Sequence, residues 1–342
     1  MNKALIPLAA VTLLSGHSIA NAAEVYGRLH FTVVEAHEKD LSIVNAGHRL
    51  GVKGTTKLDS GNTAFFKLET EYGNDKGGRG ASVSSDDDAN ISVRYAHAGI
   101  ERKYGTVTIG RSDNPMNATY VADMFEYNSG TFEQSSFRIA NSLQFKSKPI
   151  GPVSLFAAVV VEGQGDDGEQ EDMDAYVIGG QTKMADFNIV LAYMKNEVEV
   201  GEDATTANLT TGDVSTSTTL VEVETTDISL GVSYSVGAWY AGLNLERFTT
   251  EDHNEDGDLS DESVTSVVDT AVLYSMDKVT FGMGYAMADV DLDEGDDPDT
   301  ESRFLAGAYY SLGGNADVYL EMGRYADSDS DNNLVMGYRM TF

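Results

Sequence analysis

Hydrophobic residues fall at every second position in segment after segment of this chain. The last nine residues, LVMGYRMTF, show it plainly: Leu334, Met336, Tyr338, Met340 and Phe342 alternate with Val335, Gly337, Arg339 and Thr341. In GHRLGVKGTTKL (47–58), Leu50 and Val52 oppose Arg49, Gly51, Lys53 and Thr55. In NTAFFKLETEY (62–72), Phe66, Leu68 and Tyr72 oppose Lys67, Glu69 and Glu71. In SFRIANSLQFK (136–146), Phe137, Ile139, Leu143 and Phe145 oppose Arg138, Ala140, Ser142 and Gln144. A period of two predicts β-strands with unlike faces, and helical periodicity is poor throughout.

About sixteen such segments follow one another, near 24–35, 47–58, 62–73, 90–101, 104–111, 136–146, 152–161, 173–183, 186–200, 219–235, 238–250, 264–276, 278–290, 301–312, 315–326 and 332–342. Their connections alternate. Some are tight, at Lys57–Gly61, Lys103, Met184–Ala185, Asp277 and Gly313–Gly314; the others are long, acidic and glycine-rich. No stretch beyond the N-terminal leader approaches the length of a membrane-spanning helix, the best being PVSLFAAVVV (152–161). Each strand instead has an apolar face that lipid can solvate and a polar face that water can solvate, provided that the sheet closes and leaves no edge. The pattern predicts an all-β fold: a transmembrane antiparallel β-barrel of sixteen strands, with short turns at one end and long loops at the other. A secreted sandwich or β-solenoid is the competing reading; it would need a protein core for every apolar face.

The first residues, MNKALIPLAAVTLLSGHSIANAA, read as an export signal: Lys3, then an apolar core from Ala4 to Leu14, then the small-residue box Ala20-Asn21-Ala22. Residues 1–22 are thus expected to be a cleaved signal peptide, and 23–342 a single barrel domain. There is no cysteine, so an exported chain must hold together without disulfides. The formal charge is −32, and −33 once Lys3 is removed. Nucleic acid is excluded as a partner, because phosphate binding needs a basic face. The acids gather in SDDD (85–88), GQGDDGEQEDMD (163–174), EDHNEDGDLSDE (251–262), DLDEGDDPDTE (291–301) and ADSDSD (326–331), all between the alternating segments.

Five stretches then resemble the general porins of Gram-negative outer membranes. AEVYGRLHF (23–31) is similar to their first strand, HRLGVKG (48–54) to the second, and SVRYAHAGIERKYGTVTIGR (92–111) to the fourth and fifth with their short turn. The long loop after Arg111, with ADMFEYNSG (122–130), resembles the third loop, which these porins fold inward; YRMTF (338–342) resembles their assembly signal. The resemblance covers the whole chain after the leader. It implies a homotrimer of sixteen-stranded barrels, each with a wet pore narrowed by the third loop at about 112–135, where loop acids face a ladder of wall arginines. Carried over residue by residue, Arg28, Arg49, Arg94 and Arg138 are the wall cations, and Asp123 and Glu126 the loop acids. The match departs from the enteric pattern by one residue fewer between these acids, and Phe125-Glu126-Tyr127 replaces Pro-Glu-Phe. The assembly signal falls on Tyr338, Met340 and Phe342.

The four arginines are out of phase with the apolar residues of their strands, so each is expected to face the lumen. On the lipid face near the midplane an arginine costs about 2–4 kcal/mol. Arg111 shares parity with Val107 and Ile109, and needs a bulge or the headgroup region. Arg111, Lys53, Lys67 and Glu69 are further wall candidates. Opposed rows of charge create a transverse field across a narrow wet gap, and fixed charge sets ion preference. The resemblance implies passive passage of small hydrophilic solutes and ions, and the acid excess predicts a preference for cations.

EDHNEDGDLSDES (251–263) nearly spells a calcium loop. Asp252, Asn254, Asp256 and Gly257 fit its first half, but the closing glutamate, Glu262, comes one residue early. Its flanks are strands, so a solvated, disordered external loop is expected and no metal or other cofactor is assigned. Weak divalent binding by such loops could bridge them to anionic lipopolysaccharide. His17 leaves with the leader, and His30, His37, His48, His97 and His253 form no metal-spaced pair and precede no nucleophile motif, so no enzyme is expected. The expected partners are outer-membrane lipid, lipopolysaccharide and the assembly machinery. A solute-specific channel, or a surface adhesin or receptor on the same barrel, is the alternative function. The one tryptophan, Trp239, and Tyr240 alternate across a strand and lay no aromatic track for sugars.

Overall fold

The computed structural model describes residues 23–36, 40–73, 90–132, 134–161, 174–207, 214–253, 259–292, 299–326 and 332–342. The leader and most of the acidic runs lie outside these residues. Among the described residues no helix is long and apolar enough to cross a membrane.

The strands are β1 (Glu24–Ala36), β2 (Ser42–Asn45), β3 (His48–Lys57), β4 (Thr63–Gly73), β5 (Asn90–Glu101), β6 (Gly105–Asp113), β7 (Arg138–Ser147), β8 (Val153–Val160) and β9 (Ala175–Met184). They continue as β10 (Phe187–Ala207), β11 (Val214–Val236), β12 (Trp239–His253), β13 (Leu259–Met276), β14 (Val279–Leu292), β15 (Asp299–Gly313), β16 (Ala316–Tyr325) and β17 (Asn333–Thr341). Consecutive strands from β3 onward pair antiparallel. β1 pairs with β17 from Arg28↔Thr341 to Ala36↔Asn333, which closes the sheet. β2 and β3 are one wall position in two pieces: β2 pairs with Phe31–Val34 of β1, and β3 with Glu24–Arg28. They separate at Ala46 and Gly47, where Gly47 has φ +90. With these two counted as one span, the fold is a closed antiparallel barrel of sixteen strands.

The outer face carries the apolar set. Ile109, Ile178, Leu191, Met283 and Met336 are each more than half exposed, whereas Val190 and Ala192, on either side of Leu191, are buried. On a soluble protein such a belt would aggregate; in a bilayer it meets lipid. At one end the hairpins turn tightly through left-handed residues, among them Ala185, Gly237, Asp277 and Asn315.

Three expectations change. First, the strands of the largest hairpin are longer than the expected 186–200 and 219–235. β10 and β11 have 21 and 23 residues, and above Asn196 β10 pairs only with β11. Second, the calcium-like stretch is not a disordered loop at its ends. Glu251–His253 belong to β12 and residues 259–263 to β13, with Glu251↔Glu262 and Asp252↔Asp261 paired; residues 254–258 lie outside the described residues. Third, the inner face is not polar all round. Ile139, Phe156, Ala158, Val160, Val177, Val190 and Ala192 line it from β7 to β10 and enclose Met116. β8 is apolar on both faces for that reason: Leu155 is exposed while Phe156 and Ala158 pack inside. Burial of Met116 contributes about 2 kcal/mol.

Candidate functional site

One quarter of the barrel carries an ionic lattice. The register between β4 and β5 slips by one: Glu69 pairs with Tyr95 and Thr70 with Val93, so Arg94 is the extra residue of a bulge. Its Nε donates to Glu69 at 2.8 Å and its Nη1 to Glu71 at 2.8 Å, while Arg49 Nε donates to Glu71 at 2.9 Å. Glu69 is buried; it also accepts from the Tyr26 hydroxyl at 2.8 Å and lies 3.7 Å from Lys67 Nζ. Lys67 Nζ sits 3.4 Å from the centre of the Tyr95 ring, and Arg138 lies 5.3 Å from that ring on β7. Tyr95 donates its hydroxyl to Asp113 at 2.6 Å. Arg28 reaches the carbonyls of Ala46 at 3.2 Å and Gly47 at 3.4 Å, at the break between β2 and β3.

Arg49, Arg94, Lys67 and Glu69 therefore meet in one cluster. Lys53 lies at its edge: its Nζ is 4.9 Å from the centre of the Tyr26 ring and 3.4 Å from Glu24, and the side chain is half-exposed. Arg111 sits where the β6–β7 register breaks between Gly110 and Ser112, with Gly110 and Asn141 both left-handed. Simple parity with Ile109 does not apply across that break, and Arg111 Nε is buried without a hydrogen-bond partner.

The segment between β6 and β7 crosses to strands far from both. It opens on a 3-10 helix, Pro115–Thr119, capped by Asn114, whose side chain accepts the Met116 N–H at 3.1 Å. Thr119 Oγ1 accepts from Ser229 of β11 at 2.7 Å, and the Val121 carbonyl accepts from Tyr240 of β12 at 2.6 Å. The N–H groups of Glu126, Tyr127 and Asn128 all donate to the carboxylate of Glu321 on β16, at 2.6, 3.1 and 2.9 Å. Phe132 N–H donates to Asp269 of β13, and Gln134 N–H to Glu246 of β12, both at 3.3 Å. Ser135 donates to Asp227 of β11, and Arg303 of β15 donates to the Thr131 carbonyl. Asp227, Glu246, Asp269 and Glu321 are buried. They are acceptors for a loop whose own N–H groups have no strand to pair with.

Glu126, one of the two expected loop acids, makes its ion pair with an arginine outside the expected four. It pairs with Arg339 of β17, which also lies 3.0 Å from Asp317. Asp123 accepts the Gly130 N–H at 3.4 Å, within the loop. Reasoning from sequence placed Arg339 on the wet face without a partner and missed the buried acids. Their signal was an acid at an inward position of a membrane strand, the same signal that a water-lining acid gives. At the closing seam, Tyr338 and Phe342 are exposed; the Phe342 N–H donates to the Gly27 carbonyl at 3.1 Å and the Gly27 N–H donates back at 2.9 Å. No group of three or more His, Cys, Asp or Glu suited to a metal ion occurs among the described residues.

A closed barrel with an apolar outer belt, a lattice of paired charges on one part of its wall and a β6–β7 segment bonded to β11–β16 defines a channel-forming transmembrane β-barrel. The sequence profile of the Gram-negative porin family matches residues 7–331, and the chain belongs to that family. It is accordingly an outer-membrane protein. No curated protein sequence matches it. Among solved structures, OmpT of Vibrio cholerae, an outer membrane protein, matches in a form lacking loop L8. Its TM-score is 0.74 at 17% identity, over 94% of this chain and 100% of that one. OmpF of Salmonella typhi, in complex with daunomycin, matches with a TM-score of 0.68 at 15% identity over 95% and 99%. An anion-selective porin from Comamonas acidovorans matches with 0.66 at 15% identity over 94% and 100%. At such identities the likeness is one of fold.

Proposed function

We propose that the protein is a diffusion porin, passing small hydrophilic solutes and ions through a lumen narrowed by the loop at 112–135, without catalysis. The observation that carries this reading is the clasp itself. The loop is bonded along its length to β11–β16 and the Arg49–Arg94 lattice lies on β3–β5, an arrangement that supports a charged gap between them. Arg28, Arg49, Arg94 and Arg138 line one side of that gap. Glu126 belongs to the loop and shares its charge with Arg339 of β17, the strand that pairs with β1. Pairing inside the wall weakens the transverse field relative to free rows, so the gap selects mainly by size.

The sign of ion selectivity follows from charge and not from the fold, since an anion-selective porin shares this architecture. The acid excess of −32 favours cations through the long-range field at the rim. Residues 1–22 serve as the export leader, the mature barrel forms a homotrimer as OmpT of Vibrio cholerae does in its trimer form, and Tyr338, Met340 and Phe342 present the assembly signal. Lipopolysaccharide contacts the outer rim.

Two measurements test this. Liposomes holding the protein should swell at rates that fall smoothly with the size of neutral sugars, and saturation by one solute sinks the non-specific reading. The zero-current potential in a KCl gradient at low salt should favour potassium; a chloride-favouring sign refutes cation preference.

A further inference from the structure

Three glycines on the wall facing the arginines have no backbone reason to be glycine. Gly231 of β11, Gly242 of β12 and Gly284 of β14 lie in regular ladder positions, opposite Asn244, Ala271 and Leu305 respectively, and none has a positive φ. Glycine weakens a strand interior, and its remaining use there is close approach of another group. That group is the loop. A Cβ on Gly231 would stand 2.3 Å from the Thr119 carbonyl oxygen and 2.8 Å from its Cα. A Cβ on Gly242 would stand 2.4 Å from the Val121 carbonyl oxygen and 2.9 Å from its carbonyl carbon. On Gly284 it would meet Phe125 Cε2 at 2.7 Å and, less closely, the Thr270 carbonyl oxygen of β13 at 3.2 Å. The obstacles at Gly231 and Gly242 are backbone and cannot rotate away. The clamps that hold the loop down come from the same strands: Ser229 lies two residues before Gly231, and Tyr240 two before Gly242.

We infer that Gly231, Gly242 and Gly284 are specificity-determining residues, a recess whose depth fixes how far the loop stands from the wall and hence how wide the gap to the arginines is. The inference rests on the diffusion-porin reading above. Ordinary contact begins at 3.4 Å, so a methyl group at Gly231, facing an oxygen at 2.3 Å, displaces the loop backbone by about 1 Å. The wall lies on one side, so the displacement is toward β3–β5 and the gap narrows. The same reasoning gives the opposite sign from mutations that cut a clamp, which free the loop.

The test is the double variant G231A/G242A, compared with wild type in single-channel recordings and in liposome swelling with a series of neutral sugars. Conductance should fall roughly twofold and the sugar cut-off move to smaller molecules, because passage depends steeply on pore diameter. An unchanged or larger conductance from a folded barrel overturns the inference. Should that variant not fold, G284A gives an independent reading, since its nearest obstacle is a ring. G284A should lower conductance and G284A/F125L restore it; equal conductance of G284A and wild type is again fatal. A wild type that forms no channel sinks the diffusion reading and this inference together, whereas a conducting wild type with unaltered variants sinks the inference alone.

Discussion

At the residue scale, the lumen is organised by arginines that each hold two carboxylates. Arg94 bridges Glu69 and Glu71; Arg339 bridges Glu126 and Asp317. A bridge of this kind matters most when half of it is removed, because the uncompensated partner stays where it is. R339Q should leave the Glu126 charge unopposed and shift the zero-current potential further toward potassium. An unchanged potential would show that Glu126 lies outside the ion path. Glu321 is a different case: its buried carboxylate takes three loop N–H bonds and the Tyr309 hydroxyl at 2.8 Å. Bonds to a charged acceptor contribute about 1.5–3 kcal/mol each, so E321A should loosen the loop tip by several kcal/mol. Single-channel records should then show frequent excursions to a higher conductance, and a quiet trace would count against the clasp. Parity in the sequence puts Arg28, Arg49 and Arg94 on the wet face, because lipid penalises the alternative. Asp227, Glu246 and Asp269 could not be told from water-lining acids, because what buries them is a loop more than ninety residues earlier in the chain.

At the scale of elements, the barrel wall and its attachments obey different rules. Strand interiors were legible because the bilayer enforces the period of two on every span. Strand ends were not. Beyond the membrane both faces are wet, the period carries no penalty, and β10 and β11 continue through residues that read as loop. The bulge at Arg94 was silent, since a one-residue slip appears in sequence only as a parity error; the break beside Gly110 was legible, because Arg111 displayed that error. The free part of the β10–β11 hairpin pairs with no other strand below residue 222 of β11. Replacing residues 198–221 by a short turn should therefore leave assembly intact, seen as a heat-modifiable band in gels, with conductance unchanged. Loss of the folded band would mean that this hairpin is part of the barrel's foundation. The inward apolar patch from β7 to β10 was hidden for a related reason: a run apolar on both faces, such as 152–161, has no phase to read.

At the scale of the whole molecule, one seam differs from all the others. Every seam between consecutive spans joins near neighbours in sequence, but β1 meets β17 across roughly three hundred residues, in nine residue pairs from Arg28↔Thr341 to Ala36↔Asn333. Phe342 extends that seam by its two bonds to Gly27. Deleting Phe342 should reduce the yield of inserted barrels severalfold in cells while the pores that do form keep their conductance. Equal yields would show that the seam closes without help from the last residue. The closing stripe thus has two jobs, a lipid-facing row and the last stitch of the wall.

That seam also sets the timetable of folding. Loop closure grows only logarithmically with length, by about 0.6 kcal/mol for each doubling, so joining the two ends costs only about 3 kcal/mol more than closing a hairpin. Thermodynamics therefore barely notices the distance. Kinetics does, because contacts far apart in sequence form slowly and leave two open edges exposed while they wait. The hairpins can zip in any order, but until the first and last strands meet the sheet has two unpaired rims, each able to pair with a stranger.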